Sequence, residues 1–190
     1  MRRHKGEPQK TSFPLRIYFV PLLLLVSLSR VPAAKAQGDC NTIFDADDKM
    51  LSTDHRSFST RSSATPGANS ETNESVSVAG VIYINVKGVW HKSPMTVAQL
   101  RQQKAENRKD AKNVSCHYVR DESVNGEAAR VFSAHSENED DKSDATVWIS
   151  KSRGLPLRQE QDIDTGGDAA GKMHYSVRYE YTNVSAPPVH

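Results

Sequence analysis

The residues best able to do chemistry in this chain are scattered rather than gathered. His55, His91, His117, His135, His174 and His190 stand apart along the sequence, with neither the His-x-x-x-His nor the Cys-x-x-Cys spacing that holds a metal. A serine nucleophile of the hydrolase type needs a Gly-x-Ser-x-Gly turn, which the sequence lacks, and a cysteine nucleophile needs a free thiol. The densest acidic run, Glu139-Asp140-Asp141, falls between two strand-like segments and reads as a solvated turn, with weak attraction for calcium as the alternative. Asn73, Asn113 and Asn183 each begin an Asn-x-Ser triplet, a pattern common by chance, and they carry no functional weight. No catalytic residue, metal site or cofactor is expected, and an enzyme is the minor reading.

The two cysteines, Cys40 and Cys116, depend for their chemistry on compartment, and the N-terminus addresses that. Arg2, Arg3, Lys5, Lys10 and Arg16 precede an apolar run from Ile17 to Leu28, followed by the small-residue exit Ala34-Lys35-Ala36. This is the pattern of a secretory signal peptide over residues 1–36, cleaved after Ala36. The apolar run is about half of the roughly 20 residues that a spanning helix needs, so an uncleaved anchor is the lesser alternative and the mature form is expected not to span the membrane. Gln37-Gly38-Asp39 before Cys40 does not resemble a lipobox, which argues against lipidation. The expected product is a periplasmic chain, residues 37–190, forming one domain. In an oxidising compartment an isolated cysteine pair is expected to be a Cys40–Cys116 disulfide, closing a loop of roughly 76 residues and contributing on the order of 4 kcal/mol.

Removing the leader reverses the charge balance. It holds seven of the 25 Lys and Arg and one of the 23 Asp and Glu, leaving 18 basic against 22 acidic side chains. The whole-chain excess of +2 therefore belongs to the leader and supports no binding to nucleic acid.

Asp39 to Leu51 reads as a short helix with Ile43, Phe44 and Met50 on its apolar side. Ser62 to Asn73 is rich in Ser, Thr, Gly, Pro and Asn and reads as a long loop. Ser75 to Val86 alternates like a single central strand, with Val76, Val78, Ile82, Ile84 and Val86 on one face and Gly80 as a bulge or sharp bend. After Val89-Trp90-His91, the segment Met95 to Lys112 is the clearest helix, capped by Ser93 with Pro94 at its first position. Its stretch from Arg101 onward is almost wholly polar and reads as a solvated face. Strands follow at Cys116–Asp121, Ala128–Ser136, Ala145–Ser150, Leu157–Ile163 and His174–Val184, with Asn125-Gly126 the strongest hairpin signal and a further turn at Thr165–Gly171. Two helices with consecutive hairpins make the class α+β.

Four segments now stand together: Val124-Asn125-Gly126-Glu127-Ala128, Thr146-Val147-Trp148-Ile149-Ser150-Lys151, Gly154-Leu155-Pro156-Leu157-Arg158 and Arg178-Tyr179-Glu180-Tyr181-Thr182-Asn183-Val184. Over roughly Met95 to Pro187 the chain resembles the LolA-like superfamily, the outer-membrane lipoprotein carriers and their periplasmic relatives. The resemblance implies a strongly curved antiparallel sheet, an incomplete β-barrel, with two helices packed on or capping it around an apolar groove. In a curled sheet Ile82, Ile84, Val131, Trp148, Tyr175, Tyr179 and Tyr181 are the candidates to line that groove; otherwise the tyrosines are core. The expected function is non-catalytic binding of a lipid or lipidated chain. The alternative is an interaction module that docks an envelope protein and holds no small molecule.

Overall fold

The computed structural model describes residues 33–63, 70–166 and 171–189, which belong to one compact unit, Pro32–His190. Nearly all of the expected signal peptide, the middle of the expected loop Ser62–Asn73, part of the turn Thr165–Gly171, and His190 lie outside the described residues. Helix α1 spans Ala33–Leu51, strands β1 to β4 span His55–Ser63, Glu71–Val78, Val81–Val86 and Val89–Lys92, and helix α2 spans Val97–Asp110. Strands β5 to β9 then span Lys112–Val124, Glu127–Glu137, Lys142–Ser150, Pro156–Asp164 and Lys172–Glu180. The protein is α+β: one curved, open antiparallel sheet in the order β4-β3-β2-β1-β9-β8-β7-β6-β5, carrying two helices.

Local chemistry sets the hairpins. Ala79-Gly80, Lys87-Gly88 and Asn125-Gly126 all have positive φ at both positions, the signature of two-residue type I′ turns whose twist matches that of the flanking strands. The Asn125-Gly126 turn is where it was expected. Gly80, however, ends one strand and starts another: the segment read as one strand is the β2–β3 hairpin. Its faces change accordingly, because Ser77 stands opposite Ile82 and Ser75 opposite Ile84, which sends Val76 and Val78 to the other face.

β1 escaped the sequence reading, since His55-Arg-Ser-Phe-Ser-Thr-Arg-Ser-Ser offers one large apolar residue and no alternation. Pairing with β2 and β9 on its two sides supplies the order that its side chains do not. α2 begins two residues later than expected. Thr96, not Ser93, is the N-cap, and it forms a reciprocal capping box with Gln99.

Part of the core lies between the sheet and α1. Ala46 with Ile43 packs on Phe132, Val147 and Ile149, and Met50 and Leu51 pack with Val97 and Leu155. The Cys40–Cys116 disulfide ties α1 to β5, at the sheet edge. At the other end of α1 the Lys49 ammonium donates to the Arg153 carbonyl at 2.6 Å, in the β7–β8 turn. That turn is itself locked. Buried Ser150 donates to Glu127 and accepts from the Arg153 amide at 3.0 Å, while the Arg153 guanidinium pairs with Glu127 and lies 5.0 Å from the Tyr181 ring. The paired Arg153, then the Ser150 hydroxyl, hold the Glu127 carboxyl below its ordinary range. The Ser150 to Leu155 motif thus anchors a helix to a hairpin.

A divided groove between two helices and the sheet

Strand register decides which side chains meet the helices. Phe132 stands opposite Val147, Val147 opposite Gln159, Gln159 opposite Val177, and Val177 opposite Ser59. One face of the sheet therefore changes character across its width: apolar on β6 and β7, amide-bearing on β8, and serine-rich on β1 and β2, where the Ser57 and Ser75 hydroxyls bond at 2.7 Å.

Two cavities lie on this face beneath the helices. The first, about 250 Å³, has Ile43 and Phe44 of α1 and Val114, Ala134, Ala145 and Val147 of the sheet as its apolar wall. Ser143, Gln159 and Gln161 form its polar floor, with Lys104 and Arg108 of α2 at its rim. The second, about 200 Å³, lies between Leu51, Val97 and Leu100 and the sheet residues His55, Ser57, Ser75, Ile82, Tyr175 and Tyr179. Lys104 borders both.

α2 is fastened chiefly by polar contacts. Val97 is its buried residue, with Leu100 partly buried against Ile82 and the α1 end. Lys104 donates to both oxygens of Asp47 at 2.7 and 2.8 Å, and Arg108 donates to Asp47 at 2.9 Å and to Asp48 at 3.0 Å. Arg101 reaches the Ser52 hydroxyl at 2.8 Å. Arg108 also lies 4.8 Å from the Phe44 ring and holds the Asp48 carboxyl below its ordinary range. The run expected to be a solvated face thus carries an inward stripe, Arg101, Lys104 and Arg108, at helical spacing. Its complement, Asp47-Asp48 with Ser52, is distant in sequence and close only in the fold.

The seven predicted groove residues divide. Ile82, Tyr175 and Tyr179 line the second cavity. Ile84 shares their face but is 36% exposed. Tyr181 follows the end of β9 and donates to the Pro156 carbonyl at 2.6 Å. Burial pushes the Tyr179 and Tyr181 hydroxyls well above the ordinary tyrosine range, so both stay neutral. Val131 and Trp148 lie on the opposite face, packed with Ala129 and Leu157, and the Arg158 guanidinium sits 4.9 Å from the Trp148 ring. The reason is the two-residue period of a strand: Val147 and Phe132 face α1, so their neighbours Trp148 and Val131 cannot.

Sequence reasoning missed Ala134, Ala145 and Val147, and the polar groups beside them. The Ala145-x-Val147-x-Ile149 phase of β7 was a signal for them, overshadowed by the larger Trp148. His135 and His174 each bond an aspartate at 2.8 Å, Asp144 and Asp162, on the face away from the helices. Among the described residues no group of three or more His, Cys, Asp or Glu converges to hold a metal ion, and no helix is long and apolar enough to cross a membrane.

No protein-family model matches the chain, and no curated protein matches it in sequence. Among solved structures, the chain is similar to the lipoprotein LppX from Mycobacterium tuberculosis, at 11% identity over 81% of this chain and 99% of that one, with a TM-score of 0.46. MucB in complex with MucA is similar at 10% identity over 79% of this chain and 57% of that one, TM-score 0.45. A LolA superfamily protein from Nitrosomonas europaea follows at 8% identity over 79% of this chain and 94% of that one, TM-score 0.29. At these scores the likenesses carry no functional conclusion.

Proposed function

We propose that this chain is an exported, non-catalytic carrier that shelters the apolar part of a lipid or lipidated molecule beneath α1 and α2. The observation that carries this reading is the unfilled space between the helices and the sheet, with an apolar wall at Ile43, Phe44, Ala134, Ala145 and Val147 and a polar floor at Gln159 and Gln161. Such a space removes an aliphatic chain from water, at about 25 cal/mol for each Å² buried, while the amides and the ion-paired rim of Lys104, Arg108 and Asp47 orient a polar head. The resting cavity of about 250 Å³ is below the range of roughly 300–1,000 Å³ usual for ligand pockets. A ligand larger than this space would require α2 to move. Its attachment suits that, because separating Asp47 and Asp48 from Lys104 and Arg108 returns charged groups to water and exposes little beyond Val97 and Leu100. The Cys40–Cys116 disulfide is consistent with an oxidising compartment.

Organic extraction of protein purified from its native envelope, followed by mass spectrometry, tests the reading, with stoichiometric lipid expected. Ala145→Phe, which fills the cavity, is expected to abolish uptake of a fluorescent fatty acid with the fold retained. Protein that carries no lipid and takes up no probe would overturn the proposal.

A second reading, docking of an envelope protein, is favoured by β5. This long strand has no strand partner on one side among the described residues, although the Asp39 carboxylate accepts the Tyr118 amide there, and it exposes Val114, Tyr118 and Val119. A co-purifying partner lost on Tyr118→Lys, with no lipid recovered, is the outcome that selects it.

A further inference from the structure

The β3–β4 hairpin stands at the sheet edge farthest from the disulfide, and its surface chemistry differs from that of the rest of the protein. Ile84, Val86 and Val89 share one face, since Val86 stands opposite Val89 and Ile84 opposite His91. They are 36, 48 and 42% exposed, a continuous apolar strip. The same strand places Ile82 beneath α2, so the strip starts inside the protein and runs outward. On the other face Tyr83 stands opposite Lys92 and Asn85 opposite Trp90. The turn is tight: Lys87 and Gly88 both have positive φ, and the Asn85 side-chain oxygen accepts the Gly88 amide at 2.8 Å. These side chains are therefore presented on a braced ribbon.

Charge separates this region further. From Ser75 to Ala105 the sequence holds no Asp or Glu, although acidic residues outnumber basic ones over the expected mature chain. Neither Lys87 nor Lys92 pairs with a carboxylate among the described residues, and both are exposed. The acid nearest in the sheet, Glu74 opposite Asn85, is already held by Arg56 at 3.4 Å and by the Asn85 amide at 3.3 Å. Exposed aliphatic groups, a tryptophan and a tyrosine, and unpaired lysines are the combination that settles at the boundary of an anionic bilayer. A protein partner of matching shape would have to supply both acidic groups and an apolar face, whereas an anionic lipid surface supplies both in any orientation.

We propose that the β3–β4 hairpin docks this protein onto an anionic membrane surface. Ile84, Val86 and Val89 enter the region between headgroups and acyl chains, while Lys87 and Lys92 meet lipid phosphates. The proposal is independent of what the groove carries.

The test is co-sedimentation of the purified protein with vesicles of phosphatidylcholine and phosphatidylglycerol in equal parts, and with vesicles of phosphatidylcholine alone. All variants keep the same N-terminus. Wild type is expected to bind the mixed vesicles more tightly than the neutral ones, and less tightly as salt is raised. Each lysine near such a surface is worth about five-fold in affinity, so K87E/K92E is expected to weaken binding by about 25-fold or more. V86S/V89S is expected to weaken it about tenfold. Fatty-acid uptake should survive in both, which separates failure of docking from failure of the groove. K87Q/K92Q replaces any variant whose thermal transition shifts, with the same direction of effect expected. Equal binding of wild type and the lysine variants to mixed vesicles, binding unchanged in V86S/V89S, or no preference of wild type for the anionic vesicles would each overturn the proposal.

Discussion

Opening the Cys40–Cys116 bridge should loosen one half of α1 and leave the other in place. The bridge closes a loop with a sequence separation of 76, and the chain-entropy relation then assigns it about 4.5 kcal/mol at 25 °C. Domains of this kind are stable by about 5–15 kcal/mol in all, so the bridge represents about 30% or more of the margin. Beside Cys40, the first half of α1 is also held by Asp39, whose carboxylate accepts the Tyr118 amide at 2.9 Å. Its second half is held by Ala46, Met50 and Leu51 in the core and by Lys49 on the β7–β8 turn. Reduction should therefore free the segment around Cys40 to Phe44, which walls the first cavity, while the segment from Ala46 to Leu51 stays docked. Urea unfolding of oxidised protein, reduced protein and a Cys40→Ala/Cys116→Ala variant measures the loss, and hydrogen exchange maps it. A loss below about 1 kcal/mol in both the reduced and variant proteins would refute the entropic reasoning. Uniform loss of protection along α1 would refute the division of the helix into two anchored halves.

Four further outcomes can be checked. Asp47→Asn removes the carboxylate shared by Lys104 and Arg108; it should cost about 1 kcal/mol, given the partial exposure of the network, and speed proteolysis within α2. Burial lowers the pKa of His55 below its ordinary 6.5, so the unfolded chain takes up a proton that the folded one resists; stability should fall as pH drops through and below about 6.5, and His55→Gln should flatten that dependence in urea titrations. His135 has the opposite sign, because its Asp144 hydrogen bond raises its pKa; its contribution is present at low pH and lost as pH rises through the raised value, so His135→Gln should steepen the acid loss. Gly126→Ala, at a position with φ of +85°, should cost about 1 kcal/mol by thermal unfolding, through backbone strain alone since no described atom crowds the new methyl.

The strands from β6 to β9 were legible because each alternates over several residues and is bounded by turn chemistry. Asn125-Gly126 announced its hairpin directly. Ala79-Gly80 did not, since alanine rarely takes positive φ, and the β2–β3 hairpin was read as one strand in consequence. β1 carried almost no periodic signal, and its place between β2 and β9 depends on hydrogen bonds that neighbouring strands supply. For the groove, aromatic size misled: Trp148 drew attention, while the smaller Ala145 and Val147 line the cavity.

By itself the chain's order of residues determined the class of fold, the second half of the strand sequence and the pairing of its two cysteines, because turn residues, side-chain alternation and cysteine count are local or compositional properties. Which side of each strand meets the helices was settled by tertiary structure alone, since one residue of register exchanges the two faces of a strand. The closure of α2 over the groove by Asp47 and Asp48 was likewise invisible in one dimension. Those carboxylates find Lys104 and Arg108 only when the sheet brings two helices together, and that juxtaposition turns a polar helix into the cover of an apolar space.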